Sequence, residues 1–313
     1  MSKSAFVTQD VVRIPIGTAN AYIIGYAREW ILVDTGTPGN ADKILKTTAE
    51  HMGPGSVPIA IVLTHGHFDH AGSARELAAH WGVKIYVHHR EKPFVNGTSK
   101  YPPPDPTVGG FMAQVIRFVP NTSIDLQPWL RELPGSRLPW LQEWQVIETP
   151  GHTAGHISLF RESDGTLLAG DAFTTIDQDS MPAALSQAQK VCRPPAYYTP
   201  DWDLARSSVE KLAALNPRIL AAGHGKPMAG ENALQQLREL ARDFPVPEHG
   251  RYVAEPAQLD ENGIAYLPPP APDPVKRNAM IAAAGVSAIG LTVWLNRRGR
   301  AQVDERVVLD HAA

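Results

Sequence analysis

Thr64-His65-Gly66-His67-Phe68-Asp69-His70 is the stretch on which the reading of this chain turns. It follows the short apolar run Pro58 to Leu63, which fits a buried strand. It precedes AGSARELAAHW, Ala71 to Trp81, whose spacing predicts a helix ended by Gly82. The motif therefore sits on a strand-to-helix turn. His65 and His67 are two residues apart and can face one point; Asp69 and His70, at the start of the helix, can face a second point nearby. Imidazole nitrogen and carboxylate oxygen are the usual ligands of Zn²⁺ and similar cations. The bland alternative is a polar surface loop. It is disfavoured because crowded, buried imidazoles repel once protonated unless something neutralises them.

Three more ligand-type residues stand at the ends of predicted strands. His152 lies in TPGHTAGH after WQVIE, Asp171 ends TLLAGD, and His224 lies in AAGHG after RILAA. Each has glycine close by, which permits close backbone approach. Together with the first cluster they make seven donors, the number two adjacent metals need if one carboxylate bridges. Two such cations can share a hydroxide by lowering the pKa of water toward neutrality, a nucleophile for a carbonyl or phosphoryl centre. No Gly-x-Ser-x-Gly elbow competes with that chemistry. Asp69 is the candidate catalytic proton carrier.

Around these residues, VVRIPI, AYIIG, WILVDTG and VKIYV read as strands, with a helix from Ala41 to His51. WQVIE, HISLFR, TLLAGD and RILAAG form a second strand-rich block, with helices from Asp201 (a plausible cap) to Leu215 and from Gly230 to Phe244. This mixed alternation predicts an α/β (α+β) layered domain with sheets inside and helices outside. Residues 91–143 break the pattern and read as an insertion able to form a pocket wall, loop-like from Leu126 to Trp144. Trp144 is assigned to the core, Phe111 and Met112 are lid candidates, and Cys192 is read as inert.

The set HxHxDH, then His, Asp and His in that order, resembles the metallo-β-lactamase superfamily over about residues 10–245. The resemblance implies an αββα sandwich with the site at one edge. It implies His65, His67 and His152 at metal one, Asp69, His70 and His224 at metal two, and Asp171 bridging. Asp34, in LVDTG, matches a position the family uses to hydrogen-bond a ligand from behind. His156 can orient a ligand in the same way, though a structural role is favoured. Zinc β-lactamases mostly carry cysteine where Asp171 stands, whereas TPGHTAGHISLF is similar to glyoxalase II-type thioesterases. Acyl-homoserine lactonases share the seven ligands but carry a tyrosine where this chain has Thr174; Tyr197 or Tyr198 are the hydroxyls available instead. The implied activity is hydrolysis of an ester, lactone or thioester using two divalent ions, Zn first, with Mn or Fe as alternatives. A phosphodiesterase and a non-catalytic metal-binding module of a membrane complex are the rival readings.

The 313 residues carry a net charge of −3, which gives no electrostatic footprint for nucleic acid and leaves a small molecule as the expected partner. A single cysteine excludes an internal disulfide, and the first residues lack the apolar region of a secretory signal, so a cytoplasmic catalytic domain is expected. Residues 246–274 form a proline-rich tail ending in PPPAPDP. The segment 275–300 contains Ala279 to Leu295, 17 residues without a charge between basic flanks. It reads as a C-terminal membrane anchor or an apolar helix packed on the sandwich, the anchor being favoured. Oligomeric state stays open.

Overall fold

Strands Val11–Ile16 and Ala19–Tyr26 are buried along almost their whole length, as strands covered on both faces must be. Side chains alternate across a strand. Val12, Ile14, Ile16, Ile23 and Leu32 pack with helices Ala41–Met52 and Ala74–Trp81. Val11, Tyr22, Ile24, Ile31 and Val33 face Trp144, Val146, Leu159 and Leu168 of a second sheet. The far side of that sheet, with Phe160, Leu167, Leu220 and Ala222, is covered by helices Trp202–Ala214 and Glu231–Arg242. Three apolar interfaces thus separate four layers, helix–sheet–sheet–helix, in a computed structural model that describes residues 4–119 and 123–275.

The larger sheet has seven strands in chain order, from Ala5–Phe6 through Glu29–Val33, Ile61–Val62 and Ile85–Val87 to Leu130–Glu132. Its last four strands run parallel. The smaller sheet has five, ordered Met228–Ala229, Ile219–Ala222, Thr166–Gly170, Ile157–Arg161 and Trp144–Glu148. Helix Glu231–Arg242 shows the stripe logic: Ala233, Leu234, Leu237 and Leu240 are buried while Glu231, Arg238 and Glu239 face out. Each buried leucine there contributes about 2 kcal/mol. Asp201 caps the neighbouring helix, its Oδ1 accepting the Leu204 amide at 2.9 Å. Trp144 is fully buried, as the sequence predicts for a core residue.

One correction falls in the stretch expected to be loop-like. Leu130–Glu132 pairs in parallel with Ile85–Val87 and forms the edge of the larger sheet. Three residues, two of them charged, between Pro128 and Pro134 are too short to show strand periodicity; the ladder beside them decides. The apolar run 279–295, expected as an anchor or packed helix, lies outside the described residues. Among the described residues no helix is long and apolar enough to cross a membrane.

Candidate metal centre

Loops that follow parallel neighbours leave the sheet at the same edge. Asp34, His65 and Glu91 follow three adjacent parallel strands of the larger sheet, and Asp171 and His224 follow a parallel pair of the smaller one. A bridge between Ala19 and His224, with the Asn20 amide donating to Gly223 O at 2.8 Å, joins the two sheets at that edge. All seven predicted side chains meet there. One ligand atom from each of His65, His67 and His152 lies within 4.8 Å of the others, and the same holds for Asp69, His70 and His224. Asp171 stands between the triads. Its Oδ2 is 3.5 Å from His152 Nε2 and 3.1 Å from His224 Nε2, while its Oδ1 is 3.5 Å from His70 Nε2. Six of the seven are buried; Asp69 alone is partly exposed.

The rings are aimed from behind. Asp34 is buried, and its Oδ2 lies 2.9 Å from His70 Nδ1. The same carboxylate accepts the Thr64 amide and hydroxyl, both at 2.8 Å. His224 Nδ1 is 2.9 Å from Thr18 O. The inward atoms His65 Nε2, His70 Nε2 and Asp171 Oδ1 are buried without a hydrogen-bond partner. Leaving such groups unsatisfied costs about 1–3 kcal/mol each. A divalent cation fits this donor set and would satisfy them. His156 sits behind Asp171: its Nε2 accepts the Asp171 amide at 2.8 Å, and its Nδ1 meets Thr149 Oγ1 at 2.8 Å.

Close approach needs absent side chains. A Cβ at Gly66 would lie 2.1 Å from Val95 Cγ1, and one at Gly223 would lie 2.1 Å from Asp171 Oδ1.

The two triads differ electrostatically. Burial, reinforced by neighbouring histidines, pushes His65 and His152 well below the usual imidazole range; burial likewise takes His67 to about 4. Burial is the largest influence and opposes charge on His70 and His224, but the carboxylates together outweigh it, Asp171 with Asp34 and Asp69 at His70 and Asp171 with Asp69 at His224, so both are raised. Burial works against ionised Asp171 as well, yet His224 and His70 hold its carboxyl well below the usual range.

Beside His67 and His152 runs a slot lined by Tyr101, Pro102, Pro103, Tyr198, Tyr252 and Leu259, among others. Of the expected pocket residues only Tyr198 lines it, its ring stacked on His67 with centroids 4.4 Å apart. The others do not line this slot. Thr174 turns its hydroxyl to Ile176 O at 2.7 Å, and Tyr197 gives its own to Gln178 Oε1 at 3.0 Å. Phe111 and Met112 are pinned by backbone bonds to Asp179 and Gln178, and Met112 packs in a satellite cluster with Ala113, Ile116 and Tyr197. Burial pushes the Cys192 thiol up to about 12, in keeping with an inert cysteine.

Sequence reasoning passed over Glu91, which is fully buried beside the first triad. Its signal was positional: it follows the strand Ile85–Val87 at the same edge as the histidines. Burial raises its carboxyl despite four hydrogen bonds.

The metallo-beta-lactamase superfamily profile matches residues 14–224, and this chain belongs to that family. It is a metal-dependent hydrolase of that fold. The chain is 43% identical over 233 residues to the probable metallo-hydrolase YflN of Bacillus subtilis, spanning 73% of this chain and 88% of that protein. It is 26% identical over 169 residues to the hydroxyacylglutathione hydrolase GloC of Haemophilus influenzae, covering 53% of this chain and 68% of that protein. Among solved structures, the BLEG-1 B3 metallo-beta-lactamase superposes with a TM-score of 0.52 at 23% identity, covering 72% of this chain and 95% of that one.

Proposed function

We propose that the chain uses two divalent cations to hydrolyse an acyl bond, in an ester, lactone or thioester. His65, His67 and His152 would hold one ion, Asp69, His70 and His224 the other, and Asp171 both. Bound there, such ions lower the pKa of water toward neutrality and polarise a carbonyl oxygen. The rest is the work of this chain. Asp69, the one partly exposed member, carries the proton between the site and solvent. Burial and the nearby Asp69 raise the Tyr198 phenol, so it stays protonated and is available as a donor to a developing oxyanion.

The observation that carries the acyl reading is the wall beside His67 and His152, aromatic and proline-rich with no lysine or arginine, around a slot of only about 10 Å³, space for one water. Phosphodiester substrates are held chiefly by such cations. The slot shares Thr153, Ala154, Pro200 and Leu259 with a cleft of about 1010 Å³ that carries both signs of charge, Arg90 and Lys92 against Glu132, Asp201, Asp260 and Glu261, room for a larger polar remainder of the substrate. The likeness to a hydroxyacylglutathione hydrolase supports the same bond type.

The test is a panel of p-nitrophenyl acetate, lactones, acyl thioesters and bis-p-nitrophenyl phosphate with zinc- or manganese-loaded protein. Turnover of one of the acyl classes, abolished by chelation and restored by metal, is expected. Turnover of the phosphodiester alone contradicts the acyl reading. Inactivity with every metal and substrate favours a binding module.

A further inference from the structure

We propose that Glu91 is the positioning residue of the first triad, a buried carboxylate that fixes the loop of His65 and His67 against the loop of His152. The proposal rests on the two-ion reading above. Glu91 ends the short helical turn His89–Glu91 after strand Ile85–Val87. Its Oε1 accepts the Thr153 hydroxyl at 2.6 Å and the Gly155 amide at 2.8 Å. Its Oε2 accepts the Gly66 amide at 3.1 Å and the Tyr101 hydroxyl. Gly66 lies between His65 and His67, and Thr153 follows His152. One side chain therefore sets the distance between the two loops that carry all three ligand atoms of this triad. Across them, His67 Nδ1 and His152 Nε2 are 3.0 Å apart.

The chemistry of the four partners argues for this role. All are neutral donors, so the carboxylate is bound as an acceptor on both oxygens and not as half of an ion pair. An amide cannot replace it. Either orientation of glutamine turns an NH₂ group toward two donors, and one loop is released. Tyr101 extends the clamp: its hydroxyl also lies 3.0 Å from the Gly66 amide, and its ring is 4.5 Å from His67. Glu91 touches no member of the second triad, which Asp34 and the Thr18 carbonyl serve instead. The influence of Glu91 is therefore local to one metal position.

The full chain as wild type, Glu91→Gln, Glu91→Asp and Thr153→Val is stripped of metal and titrated with Zn²⁺ against a chromophoric chelator. Co²⁺ absorption spectra are recorded in parallel, with melting curves as a check on folding. The expected result is that folded E91Q binds one of its two ions about 10- to 100-fold more weakly and leaves the other unchanged. The Co²⁺ bands of the weakened position should shift, E91D should recover part of the affinity, and T153V should lose less than E91Q. Two ions at wild-type affinity in folded E91Q, or equal weakening of both, overturns the proposal. If E91Q does not fold, the same ion must be selectively weakened in E91D and T153V, and its retention there overturns the proposal. Wild-type protein that binds a single ion defeats the two-ion reading instead; Glu91 is then judged by whether its variants weaken that ion.

Discussion

The first triad is three histidines with no carboxylate of its own, whereas the second pairs Asp69 with two histidines. Burial and mutual repulsion keep the first set poor in protons; Asp171 with its acidic neighbours enriches the second. Their supports differ in the same sense. Neutral donors gathered on Glu91 hold the loops of the first, and a carboxylate, Asp34, holds a ring of the second directly. The two positions are built by different means and joined at Asp171. A neutral pocket offers ready lone pairs, and a charged one offers attraction.

Removing the joint is expected to do most. Asp171→Ala should lower kcat/KM on the acyl substrate by roughly 10³-fold or more and reduce bound metal below two ions per chain. Two retained ions in that variant would break the idea of a shared carboxylate. Asp34→Asn should weaken the ion of the second triad about 10- to 100-fold in chelator competition, as loss of a partner behind a ligand does. Equal affinity for that ion would mean that His70 needs no aiming. Tyr198→Phe should cost roughly 10- to 100-fold in kcat with metal content and KM little changed, the mark of a donor used in the transition state. An unaltered kcat would leave Tyr198 as slot wall only.

The smallest effect is expected far from both triads. Arg161 Nη2 donates to Asp10 Oδ1 at 2.8 Å. Burial would raise the Asp10 carboxyl, but its bonds to Arg161 and Thr8 prevail and lower it. A depressed folded-state pKa stabilises above the unfolded value and is lost as pH falls through the folded one, so wild type should lose this increment on acidification below about pH 4. Asp10→Asn should cost about 1 kcal/mol at neutral pH, once solvent screening is allowed for, and remove that acid dependence. Denaturant melts at two pH values check it, and metal affinity should stay at wild type.

The seven converging side chains were legible because four of them crowd into six residues after an apolar run and the other three each stand beside a glycine after a predicted strand, so local pattern carried them. Strand and helix periodicity indicated sheets inside and helices outside; the four-layer sandwich was implied by the family resemblance. The position of Glu91 after a strand was legible but its role was not: that comes from Gly66, Thr153 and Gly155, the last two more than sixty residues away, and in the sequence it is one charge after His88-His89-Arg90. Tyr101 hid in the proline-rich stretch for the same reason. Phe111 and Met112 are half-buried apolar residues beside Gly109 and Gly110, and only the structure shows their backbone tied to residues 178 and 179. Thr174 follows Asp171 closely in sequence, yet its hydroxyl turns back to its own strand.

The most direct test follows acyl hydrolysis while metal-free protein is titrated with Zn²⁺ and the bound ions per chain are counted in the same samples. Activity that climbs to a plateau at two ions per chain is the predicted result. A plateau at one ion, or turnover that ignores the metal altogether, would contradict a paired centre joined by Asp171.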